Sequence, residues 1–305
     1  MTRRLKAELI NDVGAVLGEG PAWDARFHEL VSVDILSGVV YVHDAQGIRQ
    51  KSYDVGVHIG SVLPAEEGGW LLACADGFKF LERNGSMQTL LSIDAYRTDL
   101  RFNDAKCDPT GQALAGTMRY DEKPGDGSLY RLAADPNDGE GEASGLKAVM
   151  LLEHVGLSNG LGWNADGDVL YFVDSLAQNI VRFPYAPDLE RLSHGQVVVE
   201  IPASLGVPDG LCVDDMGYLW LALYGGGAVH RYTPDGVLHT IVTLPVPHVT
   251  SVAFGGSRGD RLFITTAGGD GTPRGDGVGG LWAIDPGVSA EPATLWRRPS
   301  TLPDH

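Results

Sequence analysis

Apolar residues along this chain recur in short runs, among them Glu29–Ile35, Val39–Asp44, Val169–Asp174 and Tyr218–Leu223. The runs are rich in Val, Leu, Ile, Tyr, Phe and Trp, the residues that fit a pleated, packed strand. Between them stand Asn84-Gly85, Asp166-Gly167, Asp215-Met216-Gly217 and Asp235-Gly236, which is hairpin-turn chemistry. No long stretch carries the 3.6-residue period of a helix; Asp94–Arg97 predicts one helical turn at most.

The runs group into six similar units of four, whose first runs are Gly18–Trp23, Ile59–Leu63, Phe102–Cys107, Gly160–Trp163, Gly210–Val213 and Thr250–Phe254. The sixth unit is expected to end on Thr294–Arg297. Units four and five open on near copies, Ser158-Asn159-Gly160-Leu161 and Pro208-Asp209-Gly210-Leu211. This repeat predicts an all-β, six-bladed β-propeller with four antiparallel strands per blade. A ring of blades must protect its terminal edges, so Leu5–Asn11 is expected to pair with the last blade. No linker divides the chain, and one domain over residues 1–305 is expected. The regular repeat disfavours the alternatives, a pair of β-sandwiches or an open sheet.

In a propeller the inner strand of each blade lines a central channel, and the residues at its start sit at one mouth. Those positions are Glu19, Ile59/Ser61, Asn103, Asn159, Asp209 and Thr250/Ser251. Two carboxylates and two amides thus converge near one axis. Such oxygens suit a divalent cation, Ca²⁺, Mg²⁺, Mn²⁺ or Zn²⁺. Without one, Glu19 and Asp209 would repel and one would protonate. Turn capping is the plainer role for the same residue types.

Charge and cysteine content narrow the partners. Basic residues number 23 and acidic ones 40, a net −17, which repels phosphate backbones and argues against nucleic acid. Cys74, Cys107 and Cys212 are scattered without CxxC spacing, which fits a reducing cytoplasm better than a disulfide framework or a thiolate zinc site. No apolar run is long enough to span a bilayer, and no apolar signal core follows the charged N-terminus; a cytoplasmic protein without a membrane partner is expected.

Three segments imitate other chemistries. Gly156-Leu157-Ser158-Asn159-Gly160 fits the GxSxG nucleophile elbow, but a strand and turn follow it rather than the helix that motif needs. Asp135–Glu140 looks like a calcium loop but lacks EF-hand spacing. The Gly-rich 268–280 segment reads as a loop over the mouth, with a lid as the alternative role. His58 and His248 stand beside inner-strand starts, where either could reach the pocket or serve as a wall histidine.

Six segments in order carry a resemblance: Gly18-Glu19-Gly20-Pro21-Ala22-Trp23, Arg101-Phe102-Asn103-Asp104-Ala105-Lys106-Cys107-Asp108-Pro109-Thr110-Gly111, Ala115-Gly116-Thr117-Met118, Ser158-Asn159-Gly160-Leu161, Pro208-Asp209-Gly210-Leu211 and Ser251-Val252-Ala253-Phe254-Gly255-Gly256. Over nearly its whole length the chain resembles the regucalcin (senescence marker protein) and gluconolactonase family. The resemblance implies one divalent metal held by Glu19, Asn159 and Asp209, with Asn103 as a fourth ligand or a substrate contact. It implies that Arg101 and Asn103 hold the hydroxyls of a small sugar lactone, and that Asp121 matches an acidic residue reaching the substrate. Asp209 is the expected general base in a metal-assisted hydrolysis to the aldonic acid. The alternatives are a phosphotriesterase-like hydrolase, because related propellers resemble diisopropyl-fluorophosphatase and paraoxonase, and a non-enzymatic calcium-binding regulatory protein.

Overall fold

The structure, a computed structural model, describes residues 2–92, 98–135, 145–268 and 276–299. The helical turn expected at Asp94–Arg97 lies outside the described residues, as do most of the Asp135–Glu140 and 268–280 loops.

Six antiparallel sheets stand around one axis, and the chain runs through each from the innermost strand outward. The inner strands are Gly18–Asp24, Ile59–Pro64, Leu100–Cys107, Ser158–Trp163, Val207–Val213 and Val249–Gly255. They are buried almost throughout, while an outer strand such as Arg49–Asp54 is mostly exposed. That gradient explains why the inner runs do not alternate: both faces of each blade are covered by its neighbours.

The core is correspondingly divided. Among the described residues, one apolar cluster fills each of the six blade interfaces. Between blades 5 and 6, for example, Trp220 and Val229 pack with Phe254 and Ile264. Between blades 6 and 1, Trp23 stacks on Phe263 with ring centroids 5.7 Å apart.

The N-terminal segment closes the ring on the last blade as expected, but only from Glu8 onward, and the C-terminal run departs from expectation. Glu8–Asn11 is the outer strand of blade 6, antiparallel to Leu281–Ile284. Arg3–Lys6 instead adds a fifth, parallel strand to blade 5 beside Leu238–Thr243. Ala7, buried against both blades, is the step between the two edges. Because the outer place in blade 6 is thereby filled, Thr294–Arg297 does not form the strand expected of it. The chain there crosses to blades 2 and 3: Trp296 N–H donates to Pro64 O at 2.7 Å and Arg297 N–H to Gly111 O at 2.8 Å. Trp296 is buried in the apolar cluster between those blades.

One core residue makes blade 1 acid-sensitive. His43 is buried, and neither ring nitrogen has a partner. Burial, aided by the Arg49 charge, pushes its pKa down to about 4. An unfolded histidine titrates near its ordinary value, so the unfolded chain takes the proton first. The stabilising effect of a neutral His43 is complete above about pH 6.5 and is lost as pH falls towards 4. His43→Leu should therefore remove about 2 kcal/mol of the stability loss between pH 7 and pH 5. Urea titrations at both pH values measure this, and parallel losses in the two proteins would refute it.

Candidate metal centre and active site

Each inner strand breaks its pairing register at the same level. The breaks fall between Glu19 and Ala22, Ile59 and Ser61, Phe102 and Ala105, Ser158 and Leu161, Pro208 and Leu211, and Val249 and Ser251. A bulge of this kind bends the strand and re-aims its side chains. Glu19, Asn103, Asn159 and Asp209 all sit at or within these breaks, and all four are buried. Blade 2 has Gly60 at its break, where a Cβ would stand 2.3 Å from Asn103 O. Close backbone approach thus takes the place of a side chain there. Blade 6 has Thr250, whose hydroxyl donates to Gly18 O at 2.6 Å.

The loops that deliver these residues are pinned. Asp34 accepts from the N–H groups of Val16 and Leu17, just before Glu19. Asp174 does the same for Gly156 and Leu157, just before Asn159. Asn159 Nδ2 donates to Ser175 Oγ at 3.1 Å, and Ser175 Oγ donates to Pro208 O at 2.6 Å. This chain links the amide of blade 4 to the strand carrying Asp209. It spends the NH₂ of Asn159 and leaves its Oδ1 buried without a partner.

Burial sets the electrostatics of the ring. Burial, with the nearby Asp104 charge, pushes the Glu19 carboxyl up to about 8. Burial and the charges of Glu19 and Asp104 hold the Asp209 carboxyl well above the usual range. Asp104 is raised by burial as well, and its Oδ1 receives a hydrogen bond from Ser61 at 3.3 Å. It borders a cavity of about 310 Å³ behind the ring, together with Lys106. Two of these buried carboxyls, Glu19 and Asp209, act on one buried guanidinium, Arg101, while the cation nearest in effect to Asp104 is Lys106. Arg101 Nη1 donates to Asn103 Oδ1 at 2.6 Å, and Asn103 Nδ2 donates to Ser158 O at 2.9 Å. Desolvation lowers the Arg101 pKa, opposed by Glu19 and Asp209.

The donor set fits a divalent cation. Among the described residues no three His, Cys, Asp or Glu side chains gather to hold a metal by themselves. The amides complete the set: an orphaned buried carbonyl oxygen beside two carboxyls that cannot both ionise unaided is what a cation would satisfy.

Asp121 is not brought to this group. Its carboxylate is bound by Arg119 at 2.6 Å and Lys123 at 2.9 Å, and these cations hold its pKa below the ordinary value. Glu122 is the acid whose charge acts on Arg101 and Tyr224 instead. It has a left-handed backbone, φ 53°. No pattern in the sequence marks that turn. Ser175 carries no signal of its own in the sequence beyond the Asp174-Ser175 pair, which closes the second run of its unit as Asp34 does in unit one.

Ser158 is buried in a strand, and its hydroxyl faces Gly116, where a Cβ would come within 1.7 Å. Its Oγ has no base partnering it. Ser158→Ala is therefore expected to keep kcat within about threefold of wild type, since no nucleophile is lost; a fall of a hundredfold in steady-state rates would restore the serine mechanism. The three cysteines are buried, and burial pushes the Cys74 and Cys212 thiols up to about 12, which suits core residues rather than nucleophiles.

Comparison with known proteins agrees with this architecture. A family profile described as SMP-30/Gluconolactonase/LRE-like region matches residues 17–268. Pentonolactonase XacC of Haloferax volcanii is 33% identical over 290 residues, covering 92% of this chain and 94% of its own. Regucalcin of Xenopus laevis is 33% identical over 270 residues, covering 86% and 87%. The crystal structure of a calcium-binding protein, regucalcin, from Agrobacterium tumefaciens superposes with a TM-score of 0.86 at 23% identity, covering 98% of this chain and 99% of that one.

Proposed function

The chain belongs to the SMP-30/gluconolactonase/LRE-like family, and on that footing we propose that it is a divalent-metal-dependent lactonase, opening a small sugar lactone to the aldonic acid. The observation that carries this reading is the buried, unpartnered Asn159 Oδ1 beside the two strained carboxyls Glu19 and Asp209. The name of the pentonolactonase relative supports the substrate class.

Glu19, Asn159 and Asp209 would hold the cation. The Asn103 amide oxygen is close by but already engaged by Arg101. The all-oxygen set suits Ca²⁺, Mg²⁺ or Mn²⁺, and Zn²⁺ at lower selectivity. When bound, the cation supplies Lewis acidity to the lactone carbonyl and makes a coordinated water easier to deprotonate.

The chain's own residues supply the remainder. Asp209 takes a proton from the attacking water, whose oxygen bonds to the carbonyl carbon. The ring C–O bond breaks, its oxygen takes as a hydroxyl the proton that Asp209 had accepted, and the product is the open hydroxy acid with Asp209 ionised again. Arg101 and Asn103, fixed to one another, donate to ring hydroxyls and set the carbonyl's direction. Burial of all these groups keeps bulk water from competing with that orientation. The hydrogen-bonded polar pair of Arg101 and Asn103 favours a hydroxylated lactone over an apolar phosphotriester.

A pH-stat panel of five- and six-membered aldonolactones with saturating divalent cation tests this directly. Turnover above the spontaneous rate on at least one lactone is expected. Rates equal to the uncatalysed reaction across the panel would overturn the assignment and favour the regulatory, cation-binding reading.

A further inference from the structure

Two tyrosine–histidine pairs stand on opposite sides of the ring of buried polar groups, and neither pair has a part in the chemistry above. On one side Tyr120, which follows the second strand of blade 3, places its hydroxyl 2.7 Å from His58 Nδ1 of blade 2. Its ring meets the imidazole edge-on at 5.6 Å, and the Arg101 guanidinium lies 5.9 Å from its centroid. On the other side Tyr224 ends the second strand of blade 5 and stacks on His248 of blade 6, with centroids 4.5 Å apart and planes at 26°. The two backbones also bridge there. Burial raises the Tyr224 pKa, and the charges of Asp209 and Glu122 add to it.

In each pair a histidine from one blade fixes a tyrosine from the preceding or following blade across the seam. The hydrogen bond to His58 holds the Tyr120 hydroxyl in place and so fixes the direction of the ring. Tyr120 is 40% exposed, which is high for a large aromatic held by a hydrogen bond and two ring contacts. Tyr120 is exposed and Tyr224 half-buried; fixed aromatics on two sides of a buried polar group are what a ring with polarised C–H faces would stack on.

We propose that Tyr120 and Tyr224, held by His58 and His248, are the two walls of the slot that receives the lactone ring, and that they select the closed ring over the open-chain acid. This rests on the lactonase reading for its ligand class and assigns specificity, not catalysis, to the four residues. Selection of this kind also aids turnover. The acyclic product loses the stacked faces and leaves.

The experiment uses calorimetric binding of a hydroxylated lactam, a ring analogue that resists hydrolysis, alongside binding of the open-chain aldonate. Tyr120→Leu and Tyr224→Leu keep bulk and remove the ring, and unchanged thermal midpoints check their folding. Each variant should bind the lactam about tenfold more weakly and the aldonate within about twofold of wild type. Equal weakening of both ligands, or an unchanged lactam affinity in the folded Tyr120→Leu protein, would overturn the proposal. Because the lactam is not turned over, the result stands apart from activity: a wild-type protein that binds lactam selectively but opens no lactone would defeat the lactonase reading while sustaining the slot.

Discussion

Asp209→Ala is expected to lower kcat for lactone opening by about a thousandfold or more at saturating cation. Asp209 is asked to do two things, to carry charge towards the cation and to accept a proton, and both need a carboxylate. Its position is over-determined: a bulge in the inner strand aims it, and Ser175 ties the preceding Pro208 carbonyl to the Asn159 amide. Asp209→Asn keeps the volume and loses the charge, so it should lose nearly as much rate. Raising the cation concentration until activity is constant separates lost chemistry from weakened binding. A kcat within tenfold of wild type for either variant would remove Asp209 from the mechanism.

The second large effect is on stability and needs no substrate. In the cation-free protein the Glu19 carboxyl keeps its proton up to about pH 8, and Asp209 is also raised. In the unfolded chain both ionise near their ordinary values. The folded state thus holds protons that the unfolded state has released, and stability falls as pH rises from about 4.5 towards 8. A bound cation favours both ionised forms and opposes that fall. At pH 8 saturating cation should raise the thermal midpoint by on the order of 5 °C or more, and at pH 5 by clearly less. Asn159→Leu should shrink the pH 8 increment by removing the neutral ligand. Scanning calorimetry decides the matter: an increment absent at pH 8, or larger at pH 5 than at pH 8, would contradict the site.

Much of this architecture can be read from residues alone, for a definable reason. The six-fold repeat is written in local turn chemistry and strand composition, and a closed ring is the arrangement in which six such sheets cover one another's faces. Register within that repeat points to Glu19, Asn103, Asn159 and Asp209, and these four stand at the inner-strand bulges near Arg101. What the repeat could not convey are non-local choices. The N-terminal segment splits between two blades because Ala7 can be buried at their junction. Trp296 packs into the apolar cluster between blades 2 and 3, which no nearby sequence announces. Asp121 and Glu122 differ only by a left-handed turn, and composition does not distinguish which carboxylate faces inward. The bulges escaped notice because a strand with one extra residue reads like any other apolar run.

The most direct test of the account is a cation titration of chelator-stripped protein followed by lactone hydrolysis in the same samples. The account predicts no turnover above background at the start, a linear rise with added cation, and a plateau at one equivalent. Full activity in stripped protein, or a plateau reached without stoichiometric binding, would contradict a reaction organised around Glu19, Asn159 and Asp209.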